Sequence, residues 1–477
     1  MSVVKNPVTL RIVLVIFLTM YSFLESVGQG SYTLKSSRDG NLIIQISPNG
    51  RYLQWSDGTP IYIHGDTGWS LPRDYSREEV IEYLDTTVEQ KFNSVQMSAV
   101  FHEVEPDQDI IGPAFYGADL TKSKEEYWTQ VDWVVEQATT RGLIVIINPI
   151  WKRQHVNTIK DNGVDKCREY GKWFAQRYRD NPLVLYFVCG DAVPDPVKDE
   201  LAAMAKGIQE VYGGKAIIAV HSRQTTSSME VYPEQPEWLT LNWTYAYSPM
   251  RADWNLYPYE HNIRNYQQFP DRPIQFCEGY YDFGKARNTG LTGVLDRWGS
   301  RYAIRRQAWY ASFITGSAGH AYGAEAIWHH NREGETWQDA LKYDSRKDMI
   351  HKKSFVDKID WWTLVPDISH EFLTDGFGTW KKEDYAVAAV SSDKKLAVIY
   401  TPVRHDLQLD LGELAEGRMT AEWFDPTNGK SVPVEGFPDG RNDKVTISSP
   451  PANSSGTTDF VLRVEVVKQE ENNLNYW

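Results

Sequence analysis

The chain is expected to fold as an α/β protein, an (α/β)8 TIM-type barrel followed by a C-terminal antiparallel β-sandwich. Three observations lead there. Between residues 61 and 323 eight short apolar runs alternate with helix-like segments, as parallel strands joined by helical crossovers do. No glycine-rich phosphate loop follows the first run, because GDTGW lacks that spacing, which disfavours an open dinucleotide-binding sheet. Beyond residue 370 the helical segments stop and short strand-like runs recur, at about the ten-residue spacing of a sandwich.

The elements follow in order. Residues 1–29 read as a secretory signal peptide. Lys5 and Arg11 precede the apolar run IVLVIFLTMYSFL (12–24), and small residues suited to cleavage follow at Gly28 to Gly30. That run is short for a membrane span, and no cysteine near the cleavage point suggests a lipid anchor. Residues 30–60 include LIIQISPNGRYLQWSDGTP (42–60), expected as a β-ribbon under the barrel. Barrel strands are expected at 61–66, 93–100, 143–150, 184–190, 215–222, 238–246, 273–279 and within 312–323. SREEVIEYLDTTVEQK (76–91) carries a capping box at Ser76 and Glu79. Further helices are expected at 126–142, ended by Gly142, at 164–180, stopped by Asn181-Pro182, at 198–214 and at 297–310. The barrel is expected over 61–368, with the helix-like tract ending in WWTLVPD packed between domains. The sandwich is expected over 369–477, from runs such as YAVAAVSS, KLAVIYTP and FVLRVEVV.

Composition narrows the function. Hydrophobic residues make up 41% and charged residues 24% of 477, ordinary for a globular protein. The net charge of −14 argues against a nucleic-acid partner, which needs a basic face. The 18 Trp and 27 Tyr can fill a core, but they also make flat platforms for sugar rings. Three cysteines, Cys167, Cys189 and Cys277, leave at least one thiol free and suit small buried residues.

Active sites of such barrels lie at the C-terminal strand ends. The polar and aromatic residues there are His64 and Asp66, Gln96 and Ser98, Asn148 and Trp151, Asp191, His221, Asn242 and Trp243, Glu278, and His320 and Tyr322. Asp191 and Glu278, each ending an apolar run, are the expected catalytic pair. Hydrolysis of a glycosidic bond needs one carboxyl to protonate the leaving oxygen and another to attack or to activate water. Asp191 could also cap a turn after Gly190, whereas a glutamate at a buried strand end is costly unless paired or used. Asp66 could accept backbone bonds within its turn, His221 and His320 could be satisfied core histidines, and Trp69, Trp151, Trp243 and Trp328 could be core.

Several separated segments resemble the apiosidase-like glycoside hydrolases, glycoside hydrolase family 140: IHGDTGWSLPRDYSREEVIEYLDTTVEQKFNSVQ, DNPLVLYFVCGD, RPIQFCEGYYD and RQAWYASFITGSAGHAYGAEAIWHHN. The resemblance covers roughly residues 40–465 and implies a barrel joined to a sandwich. It implies release of apiose from the pectic polysaccharide rhamnogalacturonan II. By motif it assigns Asp191 as acid/base and Glu278 as nucleophile, and it places the family's GDT motif at Gly65-Asp66-Thr67 and its AGHTYG-like motif at Ala318 to Gly323. This chain reads CGDAVPD where the family usually reads GGD followed by a basic or amide residue, and YYDFGK follows Glu278. Both departures fall on substrate loops and bear on the choice of sugar. Substrate contacts are expected from Asp66, Trp69, Gln96, Trp151, His221, Trp243, Tyr280, His320 and Tyr322. The expected partner is an oligo- or polysaccharide, with no cofactor, metal, nucleic acid or membrane after signal cleavage, and the location is secreted or periplasmic.

Two alternatives stand beside this reading. A metal-dependent hydrolase on the same barrel would use His64, Asp66, His221 and His320 as ligands, but lacks the His-x-His usual at strand one and leaves Glu278 without a role. A non-catalytic carbohydrate-binding protein would bind without turnover.

Overall fold

All eight apolar runs expected between residues 61 and 323 are parallel strands of one sheet in the computed structural model, which describes residues 42–101, 111–246, 256–284, 300–332, 334–438 and 444–467. The signal peptide expected at 1–29 and the tail 468–477 lie outside the described residues. The barrel strands are β1 (Ile63–Thr67), β2 (Ser94–Ser98), β3 (Ile144–Asn148), β4 (Val184–Cys189), β5 (Ile218–His221), β6 (Asn242–Tyr245), β7 (Ile274–Glu278) and β8 (Gly319–Tyr322). They pair in the order β5-β4-β3-β2-β1-β8-β7-β6. The two ends of that order meet where the Thr240 and Leu241 amides both donate to the Ile218 carbonyl at 3.0 Å.

Register separates inside from outside. Gly65 pairs with Ser94, Thr67 with Gln96, Gln96 with Ile146, and Ser98 with Asn148. These positions face the barrel interior, because laterally paired residues point to the same face of a sheet. The residues between them, such as Val95, Met97, Val145 and Ile147, join Val80, Leu84, Trp128, Val131 and Phe174 in the core shell under the helices.

The helices follow their strands: α1 (Arg77–Glu89), α2 (Glu125–Thr140), α3 (Lys152–Arg177), α4 (Lys198–Val211), α5 (Ser228–Val231), α6 (Pro258–Gln268), α7 (Arg301–Tyr310) and α8 (Asp344–Val356). The capping box of α1 forms between Ser76 and Glu79. α3 departs from expectation, since it begins at Lys152, with two helical stretches meeting at Gly163 (φ 71°). Its first stretch, KRQHVNTIKDNG, offers only Val156 and Ile159 as apolar residues, too few to announce a helix by periodicity. α5 and α6 carry too few apolar residues for the same reason.

The ribbon forms as three short strands, Ile44–Ile46, Leu53–Trp55 and Pro60–Ile61. Arg51 ties it to α6, donating to the Tyr266 carbonyl at 2.9 Å. In the C-terminal region six antiparallel strands run in the order 364–366, 387–391, 396–401, 460–467, 418–424 and 431–433, facing a second sheet of 373–375, 406–410 and 444–448. Strand Leu364–Pro366 pairs with Val387–Ser391, so the sandwich sheet begins a few residues before the boundary expected at 368.

The outer face of the larger sheet presents Val387, Val398, Tyr400, Phe424 and Val461 to Trp309 of α7, Phe355 of α8 and Trp361. Within that apolar seam lies fully buried Arg305, which donates to Asp459 at 2.7 and 2.8 Å and to Asp348 at 2.7 Å. The described residues of barrel and sandwich belong to one compact unit that begins at Ile43. Among the described residues no helix is long and apolar enough to cross a membrane.

Candidate active site

The end of β4 leaves its strand through three residues with positive φ: Cys189 (77°), Gly190 (131°) and Asp191 (44°). Only glycine fits in the middle, because a Cβ there would lie 2.6 Å from Trp151 Cδ2. Asn148 Nδ2 donates to the Cys189 carbonyl at 2.8 Å, and the Gly190 amide donates to the His221 carbonyl at 3.0 Å. The Asp191 amide then donates to His221 Nδ1 at 2.9 Å. An accepting Nδ1 leaves the proton of the neutral ring on Nε2. That nitrogen stands 2.6 Å from Glu278 Oε2, although the two are poorly aligned for a hydrogen bond.

Glu278 reaches this point through a register irregularity. Phe276 pairs with Thr244, whereas Glu278, two residues on, pairs with Tyr245. Its carboxylate is almost completely buried, and Oε1 accepts from Tyr281 Oη at 2.7 Å. Tyr281 in turn accepts from Trp69 Nε1 at 2.6 Å. This relay supplies a directed donor to a buried anion, which reduces the cost of its desolvation.

Asp191 is half-buried. Tyr245 Oη donates to its Oδ1 at 3.3 Å, and Arg153 is in close contact with Oδ2. Burial, and then the neighbouring Glu278 charge, push its carboxyl up to about 6, against the opposing pull of His221 and Arg153. The surroundings are aromatic. His221 stacks on Tyr245 at 5.3 Å and lies 5.4 Å from Trp69, 5.2 Å from Trp151 and 5.7 Å from Trp243. Phe101 packs on Trp151 at 4.9 Å, and Trp328 lies 6.0 Å from Tyr281. Two carboxyl groups flank one imidazole, whose Nδ1 accepts from the Asp191 amide and whose Nε2 faces Glu278. With the Asp191 carboxyl pushed up to about 6, such a pair can act as an acid and a nucleophile or base.

The family model described as the apiosidase-like catalytic domain matches residues 47–363, well over half of the chain. The chain belongs to the apiosidase-like family. A second family model, for a collagen-binding domain of a collagenase, matches residues 375–465. A solved glycoside hydrolase family 5 protein from Bacteroides vulgatus superposes with a TM-score of 0.76 at 22% identity, covering 90% of this chain and 94% of that one. Another structure, named as a glycoside hydrolase, gives the same TM-score and identity and covers 90% and 98%. At that identity the likeness is one of fold: the apiosidase-like chain has the barrel-plus-sandwich architecture of known glycoside hydrolases. No curated protein matches the sequence.

Of the residues named from the sequence, the apiosidase-like barrel brings Asp191, Glu278, Trp69, Trp151 and His221 together. Trp243 and Gln96 lie in the barrel interior, tied to each other through Gln275 at 3.0 and 3.1 Å. They form a floor whose polar groups are already engaged. Four expected substrate contacts face the other way. Asp66 is fully buried against α1 and α8, accepting from Tyr83 and Arg346 at 2.7 Å each. Tyr322 lies beside Ser345 of α8 at 3.1 Å, and His320 stacks on Phe276 at 5.9 Å.

The reason is strand alternation. Asp66 pairs with Tyr322 and His64 with His320, and all four take the helix-facing side of β1 and β8. The metal alternative loses its convergence for the same reason, and among the described residues no group of His, Cys, Asp and Glu could hold a metal ion. Tyr280 is the fourth displaced contact: its ring belongs to the shell under the helices, and the tyrosine on Glu278 is its neighbour Tyr281. Sequence reasoning missed Tyr281, Tyr245, Arg153 and Phe101. Tyr245 could have been found from Trp243, two residues earlier on the same face.

Proposed function

We propose that this protein is an exported apiosidase-like glycoside hydrolase that cleaves a furanoside bond in a plant cell-wall pectin such as rhamnogalacturonan II. The observation that carries the reading is His221, which holds the Asp191 backbone amide on Nδ1 and faces the Glu278 carboxylate with Nε2, so that the two acids stand at one site. In the first step Glu278 attacks the anomeric carbon while the bond to the leaving oxygen breaks and Asp191 gives that oxygen its proton. In the second, Asp191 takes a proton from water, which displaces Glu278 and releases the sugar. This double displacement retains the anomeric configuration and needs the carboxyl groups about 5–5.5 Å apart. Export rests on the signal-like run at residues 12–24.

The test is incubation with a panel of plant pectins and nitrophenyl furanosides, reading released monosaccharide. Apiose from rhamnogalacturonan II is expected. No monosaccharide from any member would overturn the reading. Proton NMR of the first-formed anomer reports the stereochemistry, and an inverted product would recast Glu278 as a general base.

A further inference from the structure

The segment Trp151-Lys152-Arg153, at the start of α3, closes around the end of β4 from three directions. The Trp151 ring occupies the space a side chain at Gly190 would need. Lys152 is buried, and its ammonium donates to the Val193 carbonyl at 2.9 Å and the Asp195 carbonyl at 2.8 Å. Those carbonyls flank the turn that leaves Asp191, so one cation fixes the loop on the far side of the carboxyl. The Arg153 side chain is 61% exposed yet reaches back to Asp191 Oδ2.

A guanidinium can only donate. Oδ2, facing Arg153, therefore keeps the character of an acceptor, and the proton of a protonated Asp191 belongs on Oδ1. The partner of Oδ1 is Tyr245 Oη at 3.3 Å, and a phenol can accept as well as donate. Resting on the reading of Asp191 as the acid, we propose that Lys152 and Arg153 are its positioning residues, Lys152 by holding the loop that presents it and Arg153 by fixing which carboxyl oxygen carries the transferable proton. When the Oδ1–H bond breaks and the new O–H bond forms on the leaving alcohol, the carboxylate left behind faces Arg153. When Asp191 later takes a proton from water, the same oxygen receives it. Arg153 thus favours release of the proton, while burial and the Glu278 charge favour its retention. Arg153 itself is mostly exposed and contributes little to folding, so removing it tests positioning without unfolding the chain.

The experiment is a 13C NMR titration of full-length protein labelled at the aspartate carboxyl carbons, with the Asp191 signal assigned by its loss in Asp191→Asn. Wild type is expected to titrate at about 6. Arg153→Gln should raise that midpoint by about one unit, and Arg153→Lys should bring it back toward wild type. Where a turned-over furanoside is available, Arg153→Gln should also lose more rate on an alkyl leaving group than on nitrophenol, which needs no proton. Lys152→Met should lower kcat by up to about 10²-fold with little change in KM. If it fails to fold, the Arg153 titration decides. An unmoved Asp191 midpoint in Arg153→Gln would overturn the proposal, whatever the substrate. Full turnover of a poor leaving group by Asp191→Asn would instead defeat the functional reading on which it rests.

Discussion

Asp191 stands between opposing influences: burial and the Glu278 charge lift its carboxyl to about 6, while His221 and Arg153 pull it down. As general acid it must start protonated, so the sign is determined. kcat/KM should fall as pH rises through about 6, giving an alkaline limb that initial-rate measurements from pH 4 to 8 would locate. A limb with the opposite slope would assign Asp191 as the base in the first step. Tyr281 offers a second check. Its hydroxyl links Glu278 to Trp69, and hydrogen bonds to charged groups contribute about 1.5–3 kcal/mol. Tyr281→Phe should therefore cut kcat by about tenfold or more, read in steady-state kinetics. The two acids were legible because each ends an uncharged run, where a carboxyl has few structural uses. Arg153 and Tyr281 were not, because their roles depend on a helix start and a strand irregularity that carry no periodic signal.

The elements β1 and α8 show how a correct strand can still mislead about a site. The run 61–66 reads as a strand and Ile63–Thr67 forms one, but in a strand successive side chains face opposite ways. Ile63, Gly65 and Thr67 take the barrel interior, and His64 and Asp66 take the helix side. There Asp66 and Arg346 form a fully buried ion pair at 2.7 Å, with Lys352 donating to Tyr62 Oη at 3.1 Å nearby. Breaking a buried pair by removing one partner costs about 3–5 kcal/mol. Asp66→Ala should thus lose about that much stability in denaturant unfolding, while the surviving folded enzyme keeps its KM. A raised KM with unchanged stability would return Asp66 to the substrate. Helix α1 was legible to its cap, since Ser76 and Glu79 encode its start locally. The first stretch of α3 was not, because its stability comes from packing against the end of β4.

At the scale of the whole molecule, barrel and sandwich share one interface, in which Trp309 stacks on Tyr400 at 5.9 Å and Arg305 bonds Asp459. The change in rhythm after residue 370 made the sandwich legible. Its dependence on α7 and α8 was visible only in part, through Trp361 and Trp362, because long-range contacts leave no local pattern. Deleting residues 370–477 should strip the apolar faces of α7 and α8 and leave Arg305 buried without Asp459, giving insoluble or unfolded barrel. A soluble and fully active truncation, assayed by circular dichroism and turnover, would make the sandwich an independent module. The central claim is that Asp191 and Glu278 together perform glycoside hydrolysis. Monosaccharide release should be measured for wild type, Asp191→Asn and Glu278→Gln on the best substrate of the panel, with folding confirmed by circular dichroism. Each variant should fall by about 10²-fold or more, the scale of a lost acid–base or nucleophilic group. A folded variant that kept more than about a tenth of wild-type turnover would remove that carboxyl from the mechanism.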